Sequence, residues 1–219
     1  MAEDWNAHRD REAARYRDGS QRVPDEPDAR QRQLTRMGNA AYGAGLAQLM
    51  LGEQLQAREW LARAAATYEQ SYAGAPPGSW GRRVAMMKSS LLGDDSRGAE
   101  DYARRTLAEG AADTDSPIGR YAAALALLTL DRYEDARPVA SSLRERDDFP
   151  RDVADALAAI ASEDAPGYLG AVASVLESFE RRGEYLEEIP VADTVLVLQA
   201  LARRQRMAAD LASPLLPSD

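Results

Sequence analysis

The sequence predicts an all-α protein of about ten helices, and three observations support this class. Apolar residues recur with the period of a helix, about 3.6 residues, in nearly every segment, and no segment alternates like a strand. The segments are rich in Ala, Leu, Arg and Glu, which are strong helix formers. The breaks between them carry helix-start signals, namely Ser79 and Ser116 at N-cap positions and Pro117 at a first helical position.

The ten helices follow one another with short connections. They are expected at residues 3–17, 29–51, 54–74, 79–92, 95–109, 117–130, 133–147, 150–162, 165–182 and 190–206. Three of the breaks place acidic residues before a proline: "DDFP" (147–150), "EDAP" (163–166) and "EEIP" (187–190). Each of these three is expected to open a helix, since acidic residues and Pro both favour a helix N-terminus.

The chain is expected to contain one main domain. At 219 residues with 45% apolar composition, it is long enough to bury a continuous core. The segment Asp18–Asp28, "DGSQRVPDEPD", is polar and contains proline, which indicates a linker. We therefore expect a polar N-terminal helix and linker at 1–28, followed by a single α-helical repeat-like domain at 29–219.

Charge and composition argue against several classes of function. The net charge of −9 and the isoelectric point near 4.8 disfavour binding to nucleic acid or to a membrane, which require a basic surface. There is no cysteine, no secretory signal and no apolar run near the roughly 20 residues of a membrane span, so a cytoplasmic location is expected. Two interpretations of the acidity stay open: a basic partner protein, or hydration of the chain in the cell of a salt-loving organism.

The sequence offers little for catalysis, metal binding or cofactor binding. The single histidine, His8, lies in a polar helix and is expected to be exposed. No calcium-loop ladder and no Glu-x-x-His pair is present. "GAG" at 43–45 lacks the Lys-Ser/Thr of a phosphate-binding loop, so close helix packing explains it better. We therefore predict no catalytic residue, no metal ligand and no cofactor, and the protein is expected not to be an enzyme.

Two stretches share one pattern: small residues on a first helix, a turn, and an alanine five residues after the turn. They are "AYGAGLAQLMLGEQLQAREWLARA" (41–64) and "RYAAALALLTLDRYEDARPVASSL" (120–143). In this alignment Gly45, Gly52, Ala57 and Ala64 correspond to Ala124, Asp131, Ala136 and Leu143. A third, weaker copy at 86–105 has its turn at Gly93, with Ala99 one residue out of step.

This pattern resembles the tetratricopeptide-type helix–turn–helix repeat, whose small residues let two antiparallel helices approach closely. The resemblance covers roughly residues 38–147 and implies antiparallel helical hairpins stacked as a short TPR-like α-solenoid. The first-helix Trp that characterises such repeats is missing from all three copies. Pro138 falls inside a second helix, where it is expected to cause a kink.

The C-terminal third resembles a second family. Residues 159–217 contain a small-residue helix, an acidic break, an amphipathic helix, a Pro-initiated apolar helix and a tail ending "SPLLP". This order is similar to the C-terminal part of a helical family of polymorphic-toxin immunity proteins, the forty-ninth in the usual numbering. The likeness is one of layout, since the turn "RRQRM" and the ending differ from that family's signature residues. It implies a protein that binds and neutralises a toxin.

The last predicted helix, 190–206, is apolar on most sides and is therefore expected to be buried. Leu211, Leu215 and Leu216 are expected to fold back over it. The alternative is that this end of the chain pairs with a second copy and forms a homodimer.

The expected function is a non-enzymatic protein–protein interaction module with a basic protein as its partner. Aromatic residues are the candidate partner-binding residues, because Tyr and Trp anchor interfaces well. They are Trp5, Tyr72, Trp80, Tyr102, Tyr133 and Tyr168. Two alternatives stay open: a structural homo-oligomer, and a small-molecule or lipid-tail binder with a cavity between the helices at 117–130 and 190–206.

Overall fold

The computed structural model describes residues 3–218, and this part of the chain contains ten α-helices and one 3₁₀ turn. The helices are α1 (Trp5–Ser20), α2 (Pro27–Met50), α3 (Gln54–Ala73), α4 (Trp80–Leu92), α5 (Ser96–Ala108), α6 (Pro117–Thr129), α7 (Tyr133–Arg144), α8 (Arg151–Ala161), α9 (Ala165–Glu180) and α10 (Asp193–Arg203). The 3₁₀ turn is Leu186–Glu188. Residues 3–218 include no β-strand, so the predicted all-α class is confirmed. No helix among them has the length and apolarity needed to cross a membrane.

Most of the predicted helix signals are confirmed. Every helix begins and ends within three residues of its predicted bounds. The Ser116 hydroxyl accepts a hydrogen bond from the Gly119 backbone amide at 3.3 Å and so caps α6. Asp164, in "EDAP", accepts one from the Gly167 amide at 3.0 Å and opens α9. Helix α7 runs through Pro138.

Two of the predicted helix starts are wrong in detail. Ser79 precedes α4, but its hydroxyl donates to the Pro76 carbonyl oxygen at 2.7 Å and does not cap the helix. "EEIP" does not open a helix, because Glu187 and Glu188 take left-handed conformations in the 3₁₀ turn, with φ of +54° and +56°. Helix α10 begins later, at Asp193.

The chain forms two compact units. Among the described residues, the first comprises 3–95, Gly183–Val191 and 212–218; the second comprises Ser96–Arg182 and Ala192–Leu211. Within each unit, helices that are adjacent in sequence pack on one another, and their short connections make them antiparallel hairpins. The division predicted at residue 28 stays a prediction.

A wholly buried helix segment lies at the centre of each unit. In the first unit it is residues 40–49 of α2, and in the second it is residues 121–129 of α6. These are the first helices of the two repeat copies that the sequence aligned. Four of the small residues predicted at the hairpin interfaces have no exposed surface, as expected: Ala57, Ala64, Ala124 and Ala136.

Glycines bring α2 and α3 into close approach. A β-carbon placed on Gly38 would lie 2.7 Å from the ring of Tyr68, and one placed on Gly45 would lie 2.7 Å from Cγ of Leu61. A β-carbon at Gly43 would lie 3.1 Å from Cγ of Glu12 on α1. The "GAG" motif therefore serves helix packing, as the sequence indicated.

Four connections between consecutive helices repeat one backbone device. The left-handed residues are Gly52, Asp94, Asp131 and Glu163, with φ of +76°, +56°, +55° and +56°. After each of them, the next backbone amide donates to the carbonyl oxygen five residues back, at 2.9 Å in every case. This is the Schellman arrangement, which ends one helix and turns the chain back. The residue five positions after each left-handed residue is buried: Ala57, Ala99, Ala136 and Tyr168.

This device corrects the repeat alignment. The left-handed residue of the third copy is Asp94 and not Gly93, so Ala99 is in step with Ala57 and Ala136 after all. A fourth turn, at Glu163, was not recognised from the sequence. The hairpin pattern therefore continues into the C-terminal third of the chain.

A buried carboxylate ties α1 to the rest of the first unit. Glu12 has no exposed surface and accepts hydrogen bonds from Arg11 Nε at 2.8 Å and from Arg15 Nη1 at 3.0 Å. Arg15 also pairs with Glu187, and Asn39 Nδ2 donates to Glu187 Oε1 at 3.0 Å. This cluster holds the left-handed segment at 187–188 on α1 and α2.

Helix α10 is buried as predicted, with Val195, Val197 and Leu198 fully inside the second unit. Leu215 and Leu216 are also buried, whereas Leu211 is half-buried. The tail from Ala212 onward belongs to the first unit.

Gly45→Ala tests the close approach of α2 and α3. We expect the first unit to lose about 1–3 kcal/mol of unfolding free energy, because the fully buried Leu61 has no free space into which to move. All three tryptophans lie in this unit, so their fluorescence during urea unfolding follows it. Gly81→Ala is the matched control, since a β-carbon there meets nothing within 4 Å. The urea concentration at which this variant is half unfolded should not fall.

Glu163→Gly tests the repeated turn. A left-handed backbone is unfavourable for a residue with a β-carbon, so glycine should stabilise the α8–α9 hairpin by about 1 kcal/mol. Hydrogen exchange of the α8 and α9 amides measures the change. Glu163→Ala keeps the β-carbon and should give no gain; an equal gain for both variants would show that the carboxylate and not the backbone is responsible.

Candidate functional site

A groove of about 770 Å³ opens on the second unit between α7, α8 and α9. Helix α8 contributes one face along its whole length, namely Arg151, Asp152, Asp155, Ala158 and Ala159, and Ser162 follows at its C-terminal end. Helix α7 contributes Ser141 and Arg144 near its end. We call this feature the α7–α9 groove.

The α9 wall of the groove carries almost no side-chain bulk. Its residues are Gly167, Gly170, Ala171 and Ser174, whose spacing of i, i+3, i+4 and i+7 places them on one face of the helix. Gly167 is required locally, because a β-carbon there would collide with the Asp164 carboxylate that caps α9. Gly170 is different, since a β-carbon there would meet nothing within 4 Å. The space beside Gly170 is therefore open to solvent.

The charges of the groove are only partly paired. Arg144 Nε and Arg151 Nε lie 2.6 Å and 3.3 Å from the same oxygen, Oδ1 of Asp155. Asp152 accepts a hydrogen bond from the Val153 amide at 2.9 Å, and no ion pair to it is found in the described part of the chain. Two arginines and three aspartates thus line the groove, which leaves it negative.

The loop after α7 adds to this negative charge. Glu145 and Asp147 are exposed, and neither has an ion pair among residues 3–218. Asp148 pairs with Arg146 at 2.7 Å, and this hydrogen bond lowers the pKa of the Asp148 carboxyl. The groove and its adjoining loop therefore present an acidic surface that attracts cationic groups.

The six predicted aromatic residues are not brought together. Three lie in the first unit and three in the second, and none belongs to the groove lining that the structure describes. In the first unit, Trp5 is half-buried and its ring lies 5.3 Å from that of His8. Tyr72 is half-buried below the Arg83 guanidinium, 4.1 Å from its ring centroid. Trp80 is buried.

The three tyrosines of the second unit are mostly interior. Tyr168 has no exposed surface to offer a partner, and its hydroxyl donates to Gln199 Oε1 at 2.8 Å. Tyr102 is buried beside Arg105. Tyr133 is half-buried and donates to Asp131 Oδ1 at 2.7 Å; its burial, together with that carboxylate, raises the pKa of its phenol. Of these three, only Tyr133 reaches solvent to a useful extent.

Groups suited to catalysis or metal binding are sparse in the described residues. His8 is half-buried and not exposed as expected, and its Nε2 lies 2.9 Å from Glu3 Oε2. Within residues 3–218, no group of three or more His, Cys, Asp or Glu side chains is arranged to hold a metal ion. The absence of catalytic activity and of a cofactor stays a prediction.

The sequence reasoning missed the groove, although one signal for it was visible. "GYLGAVAS", residues 167–174, places its small residues at helical spacing. A single sequence does not tell whether such a face packs on a neighbour or lines an open space. The structure decides this for Gly170.

Comparison with known protein families, with characterised proteins and with solved structures gives no match. The tetratricopeptide-like and immunity-protein resemblances therefore stay predictions.

Tyr168→Phe and Gln199→Leu test the interior role of this pair. Gln199 accepts from Tyr168, and its amide group bonds both the amide and the carbonyl of Ala209, at 2.9 Å and 2.6 Å. We expect Tyr168→Phe to lower the free energy of unfolding by about 1 kcal/mol and Gln199→Leu by about 2 kcal/mol, measured by thermal unfolding. The double variant should lose less than the sum. If Tyr168→Phe weakened partner binding at unchanged stability, Tyr168 would instead act at a partner surface.

Proposed function

We propose that this protein is a non-enzymatic interaction module that binds a basic protein through the α7–α9 groove. The observation that supports this most is the open space beside Gly170 on an acidic surface. A binding surface of this kind needs a rigid frame, and three consecutive packed helices supply it.

The chemistry of the groove favours a protein partner over a small apolar ligand. Sites for small molecules are enclosed and lined mainly by apolar and aromatic side chains. Charged residues, hydroxyl groups, glycine and alanine line this groove, and it contains no aromatic or large aliphatic side chain. The alternatives of a lipid-tail binder and a structural homo-oligomer have no comparable supporting observation within residues 3–218.

A sharper form of the proposal is an immunity-type protein that binds and blocks a toxin domain. The α9 wall lies within residues 159–217, the stretch whose layout is similar to immunity proteins. An inhibitor of this kind gains from electrostatic complementarity, which raises the association rate and selects the partner. A net charge of −9 suits a basic target.

The product of a neighbouring toxin gene is the partner to test. When it is mixed with this protein, we expect a complex with a Kd well below about 1 μM by isothermal titration calorimetry. The association rate should fall as ionic strength is raised, because salt screens the attraction between exposed charges. No complex at near-physiological salt would contradict the proposal.

A matched pair of charge variants assigns the effect to the groove. The groove variant is Asp152→Asn, Glu145→Gln and Asp147→Asn; the control is Glu53→Gln, Glu59→Gln and Asp25→Asn in the first unit, where the three acids are exposed. Both remove three negative charges. Only the groove variant should slow association strongly. If both variants slowed association equally, the overall negative charge of the protein, and not the groove, would attract the partner.

A further inference from the structure

We infer that the α7–α9 groove takes a basic α-helix of the partner, and that Gly170 is the point of closest approach. This rests on the proposed function and specifies the form of the partner segment. It follows from three separate features of the groove: a glycine that the fold does not use, a shape bounded by helices, and an unbalanced charge.

The fold gives no reason for a glycine at position 170. Glycine weakens the interior of a helix relative to alanine, so it is expected where packing or a turn requires it. Gly38 and Gly45 meet such a requirement, because neighbouring side chains fill the space that a β-carbon would occupy. Gly170 lies inside α9, has no neighbour within 4 Å of that position and lines the groove. Gly170 therefore leaves open space on the side of α9 that lines the groove.

The shape of the groove suits a helix better than an extended strand. Its walls and floor are helices, whose backbone amides and carbonyls bond within the same helix. An extended segment would find no backbone partners there, whereas a helix satisfies its own backbone groups. The small face formed by Gly167, Gly170 and Ala171 lets a second helix come close, since the distance between two helix axes depends on the side chains between them. Leu169, beside this face, is 48% exposed and adds apolar surface at its edge.

The charge of the groove selects a basic helix. Asp152 lies at the start of α8, which rises about 14 Å from there to Ala161, and Asp164 follows just beyond its end, so the two carboxylates lie towards opposite ends of the groove. Arg144 and Arg151 are both occupied by Asp155. A partner helix with Lys or Arg near each end would therefore meet an acidic residue at each end of the groove. A second copy of this acidic chain fits poorly, because like charges would face one another.

A phage-displayed library of random 16-residue peptides, selected against the full-length protein, tests this inference without knowledge of the partner. Enriched peptides are synthesised, and their affinity and their circular dichroism on binding are measured. We expect Lys- and Arg-rich sequences that become helical when bound. Gly170→Leu, which fills the space beside α9, should weaken their binding by about tenfold or more.

Gly81→Leu is the matched control. Gly81 is also helical and exposed and has no neighbour within 4 Å of a β-carbon, but it lies on α4 in the first unit. It should leave peptide affinity unchanged. Gly170→Ala keeps the protein folded even if the leucine variant does not fold, and it should weaken binding by a smaller factor than leucine.

Three results would overturn the inference: no enrichment over a blank selection, enriched peptides that bind without becoming helical, or equal affinity for the Gly170 and Gly81 variants. The toxin titration separates this failure from that of the proposed function. If the toxin binds tightly and equally to wild type and Gly170→Leu, the interaction module stands and the groove assignment fails. If the toxin does not bind at all, the proposed function fails.

Discussion

Four of the connections between consecutive helices each depend on one left-handed residue that closes a Schellman turn. The turn fixes where the second helix begins and therefore which of its residues faces the first helix. The residue five positions later is the one directed inward, which is why Ala57, Ala99 and Ala136 are small and fully buried. Only one of the four left-handed residues is glycine; the others are acidic. The hairpins thus accept local backbone strain, since the close packing of two helices more than offsets it.

This acidic, arginine-rich chain folds around two apolar centres, each formed by the first helix of a repeat copy. Residues 40–49 and 121–129 are surrounded on every side, so their small and aliphatic side chains supply the burial that drives folding. Many of the described ion pairs link exposed residues three or four positions apart, and each of these contributes little. The exception is Glu12, which is fully buried between Arg11 and Arg15. Removing both arginines would leave this buried carboxylate without a compensating charge.

Local features of the sequence were predictable and long-range ones were not. Helix spans follow from apolar period and from caps such as Ser116, and the small residues of the hairpins follow from their repetition. The fourth turn escaped notice because Glu163 and Tyr168 replace the glycine and alanine that identify the first. Placing 183–191 with the first unit depends on Glu187 meeting Arg15, a contact between residues far apart in sequence. The six aromatic residues were chosen by type alone, whereas the groove consists of residues with small or charged side chains.

The fourth of these turns differs from the other three in its inward residue, and the helix that follows it forms one wall of the groove. Where they place alanine at the inward position, it places Tyr168, whose hydroxyl is held by Gln199 of α10. On its outer face α9 carries Gly167, Gly170 and Ala171 in place of large residues, so nothing fills the space. One short segment, 163–174, therefore contains the turn, the interior anchor and the open wall of the proposed binding surface.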